Sequence, residues 1–129
     1  MLSRRSILTV ALATCAALAP AFAATPQPFN AEAFAKAQQS GRPILLAIHA
    51  SWCPTCKAQK PILGELAAEP RFKNLAYFVI DFDGQKDLLK RFGAQKQSTL
   101  IVFKGATEEG HSVGDTDAKS IAALLDKTL

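Results

Sequence analysis

Hydrophobic and polar positions alternate along this chain with two different periods, and the switches between them mark its elements. Asn30 is a good helix N-cap with Phe29 and Phe34 at the staple positions around it, which predicts a helix from about Ala31 to Ser40, ended by Gly41. Ile44 to His49 is apolar on both faces, as in a strand central in a parallel sheet. Helical spacing returns from about Cys53 to Ala68, closed by Glu69-Pro70, with Pro61 in the interior, where its missing N–H removes a backbone bond and bends the helix. Leu75 to Phe82 reads as the next strand with Asp83-Gly84 as its turn, and a short helix covers Lys86 to Phe92 before Gly93. Thr99 to Lys104 and about Glu108 to Val113 read as a hairpin around Gly105-Ala106-Thr107. A last helix, about Asp117 to Thr128, carries Ile121, Leu124 and Leu125 at core spacing. Thr25-Pro26-Gln27-Pro28, ahead of these, is an extended tether with a first strand that is short or absent. The order is that of an α/β domain with right-handed crossovers in its parallel part.

The first 23 residues follow neither period. Arg4 and Arg5 form a charged region, Ile7 to Leu18 an apolar one, and Ala21-Phe22-Ala23 a small-x-small cleavage site, so 1–23 reads as a cleaved signal peptide. The apolar run is too short to span a bilayer comfortably. Ser3-Arg4-Arg5-Ser6-Ile7-Leu8 fits a twin-arginine export motif and an ordinary secretory leader equally. Cutting after Ala23 leaves 129 − 23 = 106 residues, one compact domain over 24–129, with a charge of 13 − 11 = +2. No basic stripe with interleaved aromatics occurs, which argues against nucleic acid as a partner. Of the three cysteines, Cys15 lies in the apolar region as filler lost with the leader; lipid attachment there is disfavoured by Thr14 before it. The other two remain, in an oxidising compartment.

Those two sit in Trp52-Cys53-Pro54-Thr55-Cys56-Lys57, where the apolar strand hands over to a helix. Cys53 falls at the first helical positions, where unpaired N–H groups and the positive end of the dipole favour a thiolate. Cys56 lies about one turn further on the same face, near enough to close a small ring with Cys53. Pro54 fits a first helical turn. One cysteine therefore attacks and the other resolves. A CxxC pair is also half of many zinc sites. No cysteine follows Cys56, and His49 and His111 lack paired ligand spacing, so redox chemistry is favoured over metal. Lys57 and Lys60 belong by default to a solvated face, with Lys57 able to stabilise a thiolate. Asp81, Asp83 and Asp87 fit turns and caps, not an ion-binding loop.

Trp52 before the first cysteine, Lys57 after the second, Pro61, Phe92-Gly93, the run Thr99-Leu100-Ile101-Val102-Phe103-Lys104 and Gly114 carry a resemblance to the thioredoxin superfamily over nearly all the chain after the leader. The dipeptide Pro54-Thr55 is similar to that of the cytochrome c maturation thioredoxins. The resemblance implies a thioredoxin fold, a central mixed sheet of about four strands flanked by helices. It also implies a thiol–disulfide oxidoreductase working through a redox-active Cys53–Cys56 disulfide, with Trp52, Pro54, Thr55 and Lys57 in support, no cofactor, and protein thiols or disulfides as substrates.

Two positions depart from the family pattern. Ala47 stands where thioredoxins carry a buried acid that handles the proton of the resolving thiol; His49, two residues on, points to the same side of the strand. His49 reads as a packed, hydrogen-bonded histidine or as a proton shuttle. Ser98 stands where the family has a cis-proline that shapes the substrate groove and keeps metals off the thiols. A cis bond before serine costs roughly 3–4 kcal/mol, so Gln97–Ser98 is expected to be trans. If serine is merely tolerated, Ser98→Pro preserves or raises reductase activity. His111, on the last hairpin strand, is expected away from the thiols.

Size sets the expected direction. Between Lys57 and Ser98 there is room for one strand and one short helix beyond the CxxC helix, too little for the helical insertion of disulfide-forming oxidants. The resemblance then implies an exported, periplasmic reductase or thiol relay, with a membrane thiol transporter as electron donor. The competing class is a module holding copper, zinc or an iron–sulfur cluster through Cys53 and Cys56, with His49 or a second subunit completing the shell.

Overall fold

The computed structural model describes residues 24–129, so the leader, with Arg4, Arg5, Cys15 and the cleavage site, lies outside the described residues. The elements are β1 (Gln27–Pro28), α1 (Ala31–Gln39), β2 (Pro43–His49), α2 (Pro54–Ala67), a 3-10 turn (Pro70–Phe72), β3 (Ala76–Asp81), α3 (Lys86–Phe92), β4 (Thr99–Lys104), β5 (Thr107–Val113) and α4 (Ala118–Asp126). The five strands form one mixed sheet in the order β1-β3-β2-β4-β5. β3 pairs in parallel with β1 and β2, while β4 runs antiparallel to β2 and β5. The fifth strand, against about four expected, is the two-residue β1, which pairs Gln27 and Pro28 with Phe78 and Val79 at the sheet edge. Proline is tolerated there because an edge position demands no donor from it.

Alternation along the strands splits the core in two. Leu45, Ala47, Tyr77, Leu100 and Val102 face α2 and α4, meeting Leu63, Leu66, Ile121 and Leu125. Ile44, Leu46, Ile48, Phe78 and Ile101 face the other way, onto Phe34 and Ala37 of α1 and Leu89 of α3. Each buried Leu, Ile or Phe stabilises the fold by about 1.5–3 kcal/mol. The staple predicted around Asn30 forms: its Oδ1 accepts the Ala33 N–H at 2.8 Å, and the Phe29 and Phe34 rings lie 5.4 Å apart.

Most boundaries shift by a residue or two. β2 begins at Pro43 and not at Ile44, and β3 is shorter than Leu75–Phe82 because the Leu75 N–H turns back to the Phe72 carbonyl. The 3-10 turn was not expected from the pattern. α2 continues through Pro61, so the proline removes a hydrogen bond without ending the helix; Pro61 and Lys57, whose carbonyl loses its donor, are both on the exposed side. No helix among the described residues is long and apolar enough to cross a membrane.

Candidate active site

The carboxyl ends of β2 and β3, the start of α2 and the approach to β4 converge on the two cysteines. Cys53 is the N-cap of α2, extended at φ −88° and ψ 110°, and Pro54 opens the helix. Cys53 and Cys56 are joined as a disulfide, Cα atoms 5.3 Å apart. The Cys56 N–H donates to Cys53 Sγ at 3.1 Å. On reduction that N–H and the helix dipole both stabilise charge on Cys53. Cys56 Sγ instead lies 3.9 Å from the Ile48 carbonyl oxygen, where a thiol would donate and so keep its proton. Exposure does not separate the two, at 1% for Cys53 and 3% for Cys56. The asymmetry between them is electrostatic.

The outer wall is aromatic. Phe82 packs on Ala50, Cys53 and Cys56. Trp52, 54% exposed, meets Phe82 edge-on at 6.2 Å and donates its indole N–H to Asp83 at 2.7 Å. The Asp81 carboxylate accepts the N–H groups of Asp83 (3.3 Å) and Gly84 (3.0 Å), fixing the turn that aims Asp83 at Trp52. Asp81 and Asp83 are thus turn residues, as expected. Lys57 and Pro54 are exposed beside the disulfide, and Thr55 is half-buried.

Ser98 closes the other side. Its peptide bond is trans, none of the described bonds being cis, and it alone among the described non-glycine residues has a positive φ, 57°. Its N–H donates to the Ile48 carbonyl at 2.8 Å, and its carbonyl accepts the Gly114 N–H at 3.0 Å and the Gln59 side-chain amide at 3.2 Å. The hydroxyl donates to the Gln97 carbonyl at 2.6 Å. Ser98 is 5% exposed, so its backbone groups are spent inside the protein and do not offer a ladder to a docked chain. Ile48 therefore presents one carbonyl to both Ser98 and Cys56.

Gln59 is the residue the sequence reading missed. It is buried, and its amide also donates to the Asp115 carbonyl at 2.8 Å. A signal was there: it lies three residues after Cys56 and four before Leu63, a polar side chain on the buried stripe of α2.

Behind the disulfide lies a cavity of about 160 Å³ bordered by Ala47, His49, Cys56, Gln59, Lys60 and Tyr77. Ala47 and His49 thus share one side of β2, as their spacing requires. Burial pushes the Tyr77 hydroxyl up to about 12, so it stays neutral at ordinary pH.

A family model described as Thioredoxin matches residues 21–127. The chain belongs to the thioredoxin family. It is 33% identical over 101 residues to a thioredoxin of Chlamydia trachomatis, covering 78% of this chain and 96% of that protein. A thioredoxin H-type of Fagopyrum esculentum is 33% identical over 90 residues, covering 70% of this chain and 75% of that one. The solved structure of Trxlp from Edwardsiella tarda superposes with a TM-score of 0.76 at 38% identity, over 78% of this chain and 98% of that one. With its CxxC disulfide, this thioredoxin-family chain is a thiol–disulfide oxidoreductase.

The remaining candidates fall outside the centre. His111 is exposed on β5, with Nδ1 3.7 Å from Glu108 Oε1. It borders a groove with Phe92, Lys96 and Val113, away from the cysteines. Among the described residues no group of three or more His, Cys, Asp or Glu is placed to hold a metal ion.

Proposed function

We propose that this protein is an exported, periplasmic reductase or thiol relay in which Cys53 attacks a substrate disulfide and Cys56 resolves the mixed disulfide. Attack by Cys53 is supported by its N-cap position and the Cys56 N–H on its sulfur. The direction rests on one observation. Between α2 and β4 the chain has only a 3-10 turn, β3 and the seven-residue α3, with no inserted helical domain. Export is supported by the leader pattern of 1–23 and leaves its route, twin-arginine or general secretory, open. A reductase in an oxidising compartment needs electrons delivered, which makes a membrane thiol transporter the donor and protein disulfides the targets. The Pro54-Thr55 dipeptide favours apocytochrome c or its maturation partners among them.

The test is acid-quenched thiol trapping of the protein in periplasmic fractions, combined with the reduction potential of the purified pair. A mature chain beginning near Ala24, held mostly reduced, with a potential nearer thioredoxin's roughly −270 mV than the −120 mV of a strong oxidant, is expected. A cytoplasmic protein, or a periplasmic one held oxidised at a potential near the oxidant value, overturns the proposal.

A further inference from the structure

Resolution of a mixed disulfide requires the Cys56 thiol to lose its proton, yet among the described residues the hydrogen-bond acceptor at its sulfur is the Ile48 carbonyl, which favours S–H. The other side of Cys56 opens on the cavity of about 160 Å³. Water occupies roughly 30 Å³ in the liquid, so the space holds a few molecules, and Gln59, His49, Lys60 and Tyr77 supply polar partners for them. We propose that His49 takes the Cys56 proton through this cavity and that it is the proton-handling residue of the exchange reaction.

Side chains of β2, α2 and β3 face the cavity. No aspartate or glutamate borders it. From α2 come Cys56 itself and Lys60, an exposed ammonium whose charged form has no lone pair to receive a proton. From β3 comes Tyr77, neutral because burial holds its hydroxyl up to about 12. Asp81 stands opposite His49 in the β2–β3 register, but its carboxylate is engaged by the Asp83 and Gly84 N–H groups. Pro26, before β1, contributes no titratable group. His49 is the half-buried remainder, an imidazole whose ring can present a nitrogen lone pair to the cavity.

With Cys53 bonded to the substrate sulfur, the Cys56 proton passes through water to the His49 imidazole. The Cys56 thiolate attacks Cys53 Sγ, the Cys53–Cys56 bond forms, and the bond to substrate breaks. Substrate leaves as a thiolate, and the imidazolium returns its proton to that thiolate or to water. Two electrons have moved from the protein dithiol to the substrate disulfide.

The inference rests on the dithiol exchange of the proposed function, and dithiobis-nitrobenzoate as substrate tests the two apart. Attack by Cys53 on the reduced full chain releases one coloured thiolate and resolution by Cys56 a second, both leaving without needing a proton. Two-phase release by the unsubstituted protein tests the exchange itself. His49→Gln is expected to slow the second phase about 100-fold at neutral pH and leave the first within about twofold. It should also make the second phase rise with hydroxide concentration through the neutral range, since the proton then goes to solvent. His49→Asn replaces it should the glutamine perturb folding. A second phase unchanged in both variants, equal slowing of both phases, or the same selective slowing in Lys60→Met overturns the assignment.

Discussion

Ser98→Pro is the substitution on which the geometry and the family pattern disagree most. Proline fixes φ near −65°, whereas Ser98 sits at 57°, so the loop must rearrange before proline fits. Proline also lacks the N–H that reaches the Ile48 carbonyl at 2.8 Å, and Ile48 is buried. Leaving that acceptor unpaired costs about 1–3 kcal/mol, and forcing the loop out of its conformation about 1–3 more. Their sum, about 2–6 kcal/mol, lowers the melting temperature by roughly 4 °C per kcal/mol in a domain of this size. Ser98→Gly is the control. It keeps the N–H and adopts positive φ without a Cβ penalty of about 1–2 kcal/mol, offset by about 0.5–1 kcal/mol of extra chain entropy. Glycine should therefore stay within about 1 kcal/mol of the unsubstituted protein. Urea unfolding of the oxidised forms, followed by Trp52 as the single tryptophan, measures both. Equal stability of the proline and glycine variants would refute the reasoning. The family pattern predicts that Ser98→Pro preserves or raises reductase activity, whereas the hydrogen bond to Ile48 predicts that it costs stability.

Other outcomes follow from the same site. Cys56→Ser should accumulate mixed disulfides with protein substrates on non-reducing gels, and Cys53→Ser none; trapping by Cys53→Ser would reverse the assignment. Gln59→Leu should destabilise the fold by about 1–3 kcal/mol in urea unfolding, because the buried Ser98 carbonyl loses one of its two donors and the Asp115 carbonyl loses the amide. Tyr77, the single tyrosine, is raised in the folded state, so its stabilising effect is complete below about pH 10 and lost as pH rises towards 12. Its absorbance should titrate late in the native protein, and Tyr77→Phe should remove at most about 2–3 kcal/mol of the alkaline loss in stability. A tyrosine that ionises near pH 10 without unfolding would contradict this.

Local chemistry was the readable part of the sequence. The bounds of α3 and β4 came from caps and periodicity, and the two faces of β2 from the period of the strand. The Asn30 cap, the turn role of Asp81 and the disulfide-forming spacing are also short-range matters. What escaped depends on residues far apart. Gln59 bonds carbonyls 39 and 56 positions away, and no window along the chain brings them together. The left-handed Ser98 is imposed by β2 and by Gly114, and nothing in serine itself favours it. The near-complete burial of Cys53 comes from Phe82, supplied by the turn after β3. The cavity required both the small side chain of Ala47 and a view of which β3 residues face it.

The amide of Gln59 fastens the helix that carries the thiols to two loops, one at Ser98 and one at Asp115, which the Gly114 N–H on the Ser98 carbonyl already joins to each other. The three pieces around the disulfide are thereby tied to one another by hydrogen bonds. A protein substrate meets a rim already set in shape, and the ordering entropy that a mobile rim would lose at docking, about 0.5–1.5 kcal/mol for each side chain immobilised, is settled when the chain folds. Discrimination among substrates then depends on how well each fits a fixed contour, with little adjustment from the protein.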